Sequence, residues 1–320
     1  MVKSLKYILV GDSRAQEHLK KEENTDIKLG GLYQWANAFR KYGSGGTIEP
    51  YWRKEDLEKF DVIHINMTPS NIQHISWIRK ELGFSTSIKI ICNIDIDLTL
   101  WSNTFSYWLL YLEKALEQAD ILFHVEYKGA DVLSHMLNRK IEVCPHPVDV
   151  SGLYDYIAGE REPMIGTLWH RYTGESLIPY IAQKNIPLRR VLFGYNSQKP
   201  VVSNAGMYDE IIPYQNYQDH IREIAKSKIG MDLYSGFSYG RGTIEFAGLG
   251  IPSVVSSTIG ASWLFPDTTV HPFDTRKAEE ITLKLSKDEE FANNVIKTSH
   301  DRCKHYSLKN SYDRMCEILI

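Results

Sequence analysis

The residues best placed to do chemistry in this 320-residue chain lie between Met231 and Ser257, MDLYSGFSYGRGTIEFAGLGIPSVVSS. Gly236, Gly240 and Gly242 leave the backbone free to turn tightly and to approach a ligand. Arg241 and Thr243 stand where a helix should begin. Unpaired backbone N–H groups and the positive end of the helix dipole would therefore face whatever the turn holds. Glu245, one turn further in, sets a carboxylate beside that anion site. Phosphate with neighbouring hydroxyls is the ligand chemistry these residue types suit. From the glycines alone, an ordinary strand-to-helix connection is an equal reading.

Other candidates lie elsewhere in the chain. Asp95 and Asp97 follow an apolar run, Ile88 to Ile94, and an Asp-x-Asp pair can hold a hard divalent cation. The motif is short and frequent by chance, and no metal site is expected from it. His170 and Arg171 follow another apolar run and could meet an anion. Tyr214, after Ile211-Ile212-Pro213, offers an aromatic face. His146, between Pro145 and Pro147, reads as a linker residue rather than a ligand.

Strands and helices alternate around these positions. Strands are expected at Lys6 to Val10, Asp61 to Asn66, Ile88 to Ile94, Ala119 to Val125 and Lys140 to Cys144. Helices are expected at Leu32 to Tyr42, around Ile72 to Leu82, at Trp101 to Gln118 and up to Leu137. Gly30 and Gly31 precede the first of these helices. Pro145-His146-Pro147 stiffens a crossing segment, and a second alternating set follows. Its strands are Pro163 to Leu168, Arg190 to Gly194, Gly206 to Ile212, Lys228 to Tyr234 and Ile251 to Val255; its helices are Leu177 to Lys184, Tyr217 to Ala225 and Thr243 to Leu249. A helical tail runs from Asp288. Such alternation predicts an α/β fold of two Rossmann-like domains with parallel sheets. The expected division is 1–147, 148–305 and a C-terminal helix, 306–320, crossing back to the first domain.

The string around Ser238-Tyr239-Gly240, Glu245, Gly248, Gly250 and Pro252 resembles the C-terminal signature of GT-B glycosyltransferases, especially retaining family 4, where a "GFG" turn precedes "EAxAxGxPVV". The resemblance runs in order over nearly the whole chain, with Pro147-Val148-Asp149 near the family's "vpNGVD" junction. It implies that the two sheets face a central cleft. It further implies transfer of a hexose from a nucleoside-diphosphate sugar to a hydroxyl acceptor, with retention and with no metal or other cofactor. Glu245 would bind the donor ribose. Gly240, Arg241, Gly242 and Thr243, with His170 and Arg171, would hold the diphosphate, and Tyr214 would meet the base. Phe237, Ser238 and Tyr239 would lie by the sugar, and Gly30, Gly31 and Asp95 would face phosphates and acceptor. The catalytic assignments are Asp95, Arg171 and Glu245.

This chain departs from the family in two places. Phe237 stands where a first glutamate is usual, and Thr167 and Thr173 stand where an arginine and a lysine clamp the diphosphate. A non-catalytic nucleotide-sugar binder and a GT-B-like sugar-nucleotide epimerase therefore remain as alternatives. In the other glycosyltransferase fold, GT-A, an Asp-x-Asp pair holds the metal; the downstream pattern favours GT-B.

Composition agrees with a soluble enzyme: 43% of residues are hydrophobic, 24% charged, and the formal charge is −3. No basic field favours nucleic acid, and no apolar run reaches the roughly 20 residues of a membrane span. The aromatic segment from Trp101 leaves peripheral membrane contact open, with core packing the plainer reading. Four cysteines without metal or redox spacing, and a first strand rather than a signal peptide at the start, suggest the cytoplasm.

Overall fold

The computed structural model describes residues 4–10, 31–49, 51–67, 71–84, 87–95, 116–169, 177–195, 206–214 and 216–319. Gly30, Asp97, His170, Arg171, Thr173 and positions 101–115 of the aromatic segment lie outside the described residues. Of the described residues, those from 4 to 148 and from 306 to 319 form one compact unit and those from 149 to 305 the other.

The first unit contains β1 (Lys6–Val10), α1 (Gln34–Tyr42), β2 (Gly45–Glu49), α2 (Lys54–Leu57), β3 (Val62–Asn66), α3 (Ile72–Leu82), β4 (Lys89–Asn93), β5 (Ile121–His124), α4 (Tyr127–Leu137) and β6 (Glu142–Val143). Its six strands lie in the order β2-β1-β3-β4-β5-β6, and every pairing is parallel. Side chains alternate across a strand, and here both alternations are apolar. Ile8, Val10, Ile63, Ile65, Ile90 and Cys92 pack on one face with Ile75, Ile78, Ala130 and Leu133. Tyr7, Leu9, Val62, Ile91 and Phe123 pack on the other with Trp35, Ala36 and Phe39 of α1. Such two-sided burial is why these strands read as continuous hydrophobic runs.

The second unit contains α5 (Val150–Tyr154), β7 (Glu162–Leu168), α6 (Leu177–Gln183), β8 (Arg189–Tyr195), β9 (Glu210–Pro213), α7 (Tyr217–Ala225), β10 (Ser227–Asp232), α8 (Arg241–Gly248), β11 (Ser253–Ser256), β12 (Thr269–Val270), α9 (Thr275–Lys287) and α10 (Glu289–Cys303). This sheet also has six strands, in the order β12-β11-β10-β7-β8-β9, again all parallel. The last helix, α11 (Leu308–Leu319), belongs to the first unit. It buries Tyr312, Met315 and Cys316 against the α1 face, where Phe39 stacks on Tyr7 at 4.5 Å and meets Tyr312 edge-on at 5.1 Å.

Several elements depart from the sequence expectation, the short α2, α5 and β12 among them. Strand β2, GGTIE, and helix α9 are not anticipated by it, and β9 starts at Glu210 rather than Gly206. Among the described residues no helix is long and apolar enough to cross a membrane.

Candidate functional site

In open α/β sheets ligands bind beyond the carboxyl ends of the strands. In the second unit that end of β10 is Asp232, buried, whose Oδ2 accepts a hydrogen bond from Thr243 Oγ1 at 2.8 Å. The bond ties the strand end to the first turn of α8. Between them the chain folds over itself: Gly260 N–H donates to Ser238 O at 2.7 Å, and Thr258 Oγ1 donates to Tyr234 O at 2.6 Å. Gly240 then enters α8 at φ +84°, a left-handed conformation that favours glycine. A Cβ there would also run into the Ile259 side chain. No side chain caps the helix at Gly240, so its first-turn N–H groups have no intrahelical partner.

Arg241 opens α8, and its Nε donates to Glu245 Oε1 at 2.8 Å. The guanidinium lies over the Tyr217 ring, 5.0 Å from its centroid. Tyr217 also hydrogen-bonds Glu245. The Glu245 side chain is 3% exposed and that of Arg241 34%. The carboxylate is thus the buried anchor of the pair and the cation its accessible part. Burial works against the charge on Arg241, but Glu245, with Tyr217 and Tyr214 beside it, outweighs that and raises its pKa above the ordinary arginine value. Burial, then Glu245, pushes the Tyr217 hydroxyl well up as well. Tyr214 packs on His220 with ring centroids 5.3 Å apart, and burial pushes His220 down to about 4.

The second unit therefore gathers Tyr214, Arg241 and Glu245 in one cluster, continuous with the turn Phe237-Ser238-Tyr239-Gly240 and with Gly242 and Thr243. Phe237 is exposed on that turn. Thr167 is buried in β7 and accepts from Gln183 Nε2 at 3.3 Å, a core contact rather than a ligand one. Sequence reasoning missed Tyr217, His220 and Asp232. Only Asp232, a carboxylate closing a strand ahead of the glycine turn, carries a local signal.

The first unit holds a second polar group, which runs across its sheet to Asn93 at the carboxyl end of β4. Tyr7 Oη meets His64 Nδ1 at 2.5 Å, and His64 Nε2 meets Asn93 Oδ1 at 2.5 Å. Asn93 Nδ2 donates to Asn66 Oδ1 at 2.7 Å. Because Asn93 Oδ1 must accept, His64 carries its proton on Nε2 and its Nδ1 accepts from the Tyr7 hydroxyl. Burial pushes His64 down to about 3, so this ring stays neutral. Beside the chain, Asp95 Oδ2 lies 2.6 Å from His146 Nε2, and Trp35 Nε1 donates to His146 Nδ1 at 2.9 Å. His146 is 4% exposed. Instead of being a plain linker residue, it is a built member of this cluster. Burial opposes the Asp95 charge, but His146, Asn93 and His124 around it hold its carboxyl below the usual carboxylate range. Gly31, at φ +71°, begins the short 3-10 turn that leads into α1.

No protein-family model matches the chain, and no curated protein matches it in sequence. Solved structures do match. A sucrose-phosphate synthase from Thermosynechococcus elongatus superposes with a TM-score of 0.67 at 14% identity, covering 98% of this chain and 97% of that one. An α-glucosyltransferase in complex with UDP and a mismatched 13-mer DNA gives 0.64 at 12% identity, covering 99% of both chains. A chain described as trehalose-6-phosphate from E. coli bound with UDP-2-fluoro glucose gives 0.65 at 12%, covering 98% of both. The fold is therefore GT-B, two Rossmann-like α/β units, as the sequence pattern implied.

Proposed function

We propose that this chain is a cytoplasmic retaining glycosyltransferase that moves a hexose from a nucleoside-diphosphate sugar to a hydroxyl, without a metal. The observation that carries the reading is Arg241. It is an accessible cation fixed by a buried carboxylate at the uncapped start of α8, beyond the carboxyl end of a parallel strand. The fold, shared with structures described as holding UDP or a UDP-sugar, supports it. Four buried free cysteines suit a reducing compartment.

In this reading Arg241 and the amides of Gly242 and Thr243 take the diphosphate, with His170 and Arg171 as further donors. Glu245 holds Arg241 through Oε1 and offers its second oxygen to a ribose hydroxyl. Tyr214 stacks on the base. The turn from Phe237 to Gly240 lies along the sugar, with Phe237 contributing through its backbone and ring in the absence of a first glutamate. Gly30 and Gly31 serve the phosphates, and Asp95 serves the acceptor hydroxyl. The bond from the anomeric carbon to the diphosphate oxygen breaks, and the bond to the acceptor oxygen forms on the same face. The acceptor proton leaves with the nucleoside diphosphate. Fixed donors aimed at the departing diphosphate stabilise the charge that develops there.

Phe237, and Thr167 buried where a clamp cation is usual, favour a second reading as a non-catalytic binder of the same ligand. Product analysis with a sugar-labelled donor separates the two. Transfer gives a new glycoside and free nucleoside diphosphate, a binder returns the donor unchanged, and an isomerised donor would mark an epimerase instead.

A further inference from the structure

The cluster at the carboxyl end of the first sheet does more than fill space. The Trp35 indole has a single N–H and nothing to accept with. Its Nε1 points at His146 Nδ1 at 2.9 Å, so Nδ1 must be the lone-pair nitrogen and the ring proton must sit on Nε2. A second proton on Nδ1 would face the indole hydrogen. The Nε2–H then donates to Asp95 Oδ2 at 2.6 Å. Indole, imidazole and carboxylate form a relay with one direction of donation throughout. Trp35 is fully buried and His146 nearly so, which fixes the ring plane.

What the relay leaves over is Asp95 Oδ1. This oxygen is buried and has no hydrogen-bond partner among the described residues, although the Asp95 side chain as a whole is 28% exposed. An unmet carboxylate oxygen is costly, and a water or a ligand hydroxyl that reaches the exposed part of the side chain can supply the donor. A sugar or polyol hydroxyl is such a donor.

We propose that His146, held by Trp35 with its proton on Nε2, is a positioning residue that fixes the Asp95 carboxylate, through Oδ2, for the acceptor hydroxyl. The proposal rests on the transferase reading above and adds to it the two residues that aim the acceptor-side carboxylate. Besides His146, the titratable groups facing Asp95 are His124 at the end of β5 and His64 in β3. His64 is tied into the Tyr7 and Asn93 chain and stays neutral.

Glutamine tests the lock because its amide can reproduce both bonds. Its oxygen accepts from the indole and its nitrogen donates to Asp95, yet it cannot titrate. The full-length chain is assayed with UDP- and GDP-hexoses as donors and a panel of mono- and disaccharides and hexose phosphates as acceptors. His146→Gln should keep acceptor KM within about threefold of wild type. His146→Ala should raise acceptor KM at least tenfold with donor KM unchanged. Losing the donor to Oδ2 should also move the acid limb of kcat/KM to higher pH, because an unsupported carboxylate protonates more readily. Asp95→Asn should raise acceptor KM at least tenfold. Independently, ¹⁵N-histidine spectra of the whole chain should show the His146 proton on Nε2 rather than Nδ1. Equal losses in the glutamine and alanine variants, a change in donor KM instead, or a ring protonated on Nδ1 would overturn the proposal. Turnover with the wrong tautomer sinks the positioning role alone. A correct tautomer with no turnover on any donor removes the transferase reading and the acceptor role together.

Discussion

Among single residues, Arg241 and Glu245 divide the labour of the donor site between them. An ion pair between exposed side chains is worth little, but here the carboxylate is buried, so each partner depends on the other. Glu245→Ala removes the anchor, frees Arg241 to wander and takes one hydrogen bond from the Tyr217 hydroxyl. Activity should fall at least tenfold, mostly as donor KM. Arg241→Ala should weaken nucleoside-diphosphate binding by roughly ten- to a hundredfold, the size of one or two lost charge-assisted hydrogen bonds. Glu245→Gln, which keeps hydrogen-bonding capacity but not the charge, should fall between wild type and alanine. Unchanged titration curves in both alanine variants would contradict these roles. The Arg241 and Glu245 spacing of four residues was legible as an i,i+4 pair once the helix was placed. Tyr217 was not, because it reaches the pair from another helix. Nor was the tie between His146 and Asp95, 51 residues apart in sequence. Only the fold brings such pairs together.

At the scale of elements, Arg161 deserves a test of its own. Its guanidinium gathers four backbone carbonyls that helix and strand ends leave over. Nη1 donates to Ala225 O and Ser227 O at 3.2 and 3.1 Å, and Nη2 to Leu249 O and Gly250 O at 2.8 and 2.9 Å. These lie at the end of α7, the start of β10 and the end of α8, so one side chain fastens the elements that carry the candidate site. Arg161→Met should cost about 2–4 kcal/mol, from lost hydrogen bonds and orphaned carbonyls. For a domain of this size that lowers the melting midpoint by roughly 5–15 °C. A shift under a degree would show that water satisfies those carbonyls as well. Strands such as β3 and β4 were legible because both faces are buried and the runs are uninterrupted. Strand β2 was not, since two glycines and an edge position leave almost no pattern. Helix α9 was missed although Asp274 caps it, accepting from Lys277 N–H at 3.1 Å. Its apolar positions, Ala278, Ile281 and Leu285, are sparse among charges.

At the scale of the whole molecule, each unit carries a histidine kept neutral by burial, His64 pushed to about 3 and His220 to about 4 against an ordinary 6.5. The unfolded chain takes up these protons below pH 6.5 while the folded chain does not. Stability present above that pH is therefore lost progressively as the pH falls toward each folded value. The melting midpoint should decline steadily from pH 7 to 5, and His64→Gln should flatten part of the decline if the variant folds. A flat wild-type profile would contradict the buried, neutral state of both rings. The two-unit α/β plan was the most legible feature of all, because alternation of strand and helix over 320 residues admits few other arrangements.

Binding of the donor nucleotide is read out by a thermal-shift titration of the full chain with UDP, GDP, CDP, ADP and dTDP, each with EDTA and with Mn²⁺. One nucleoside diphosphate should stabilise the protein by about 2.7 kcal/mol at a hundred times its Kd, equally in EDTA and Mn²⁺, and Arg241→Ala should abolish the shift. Stabilisation that requires Mn²⁺ would contradict the metal-free site. No shift with any of the five would contradict the nucleotide-sugar donor itself.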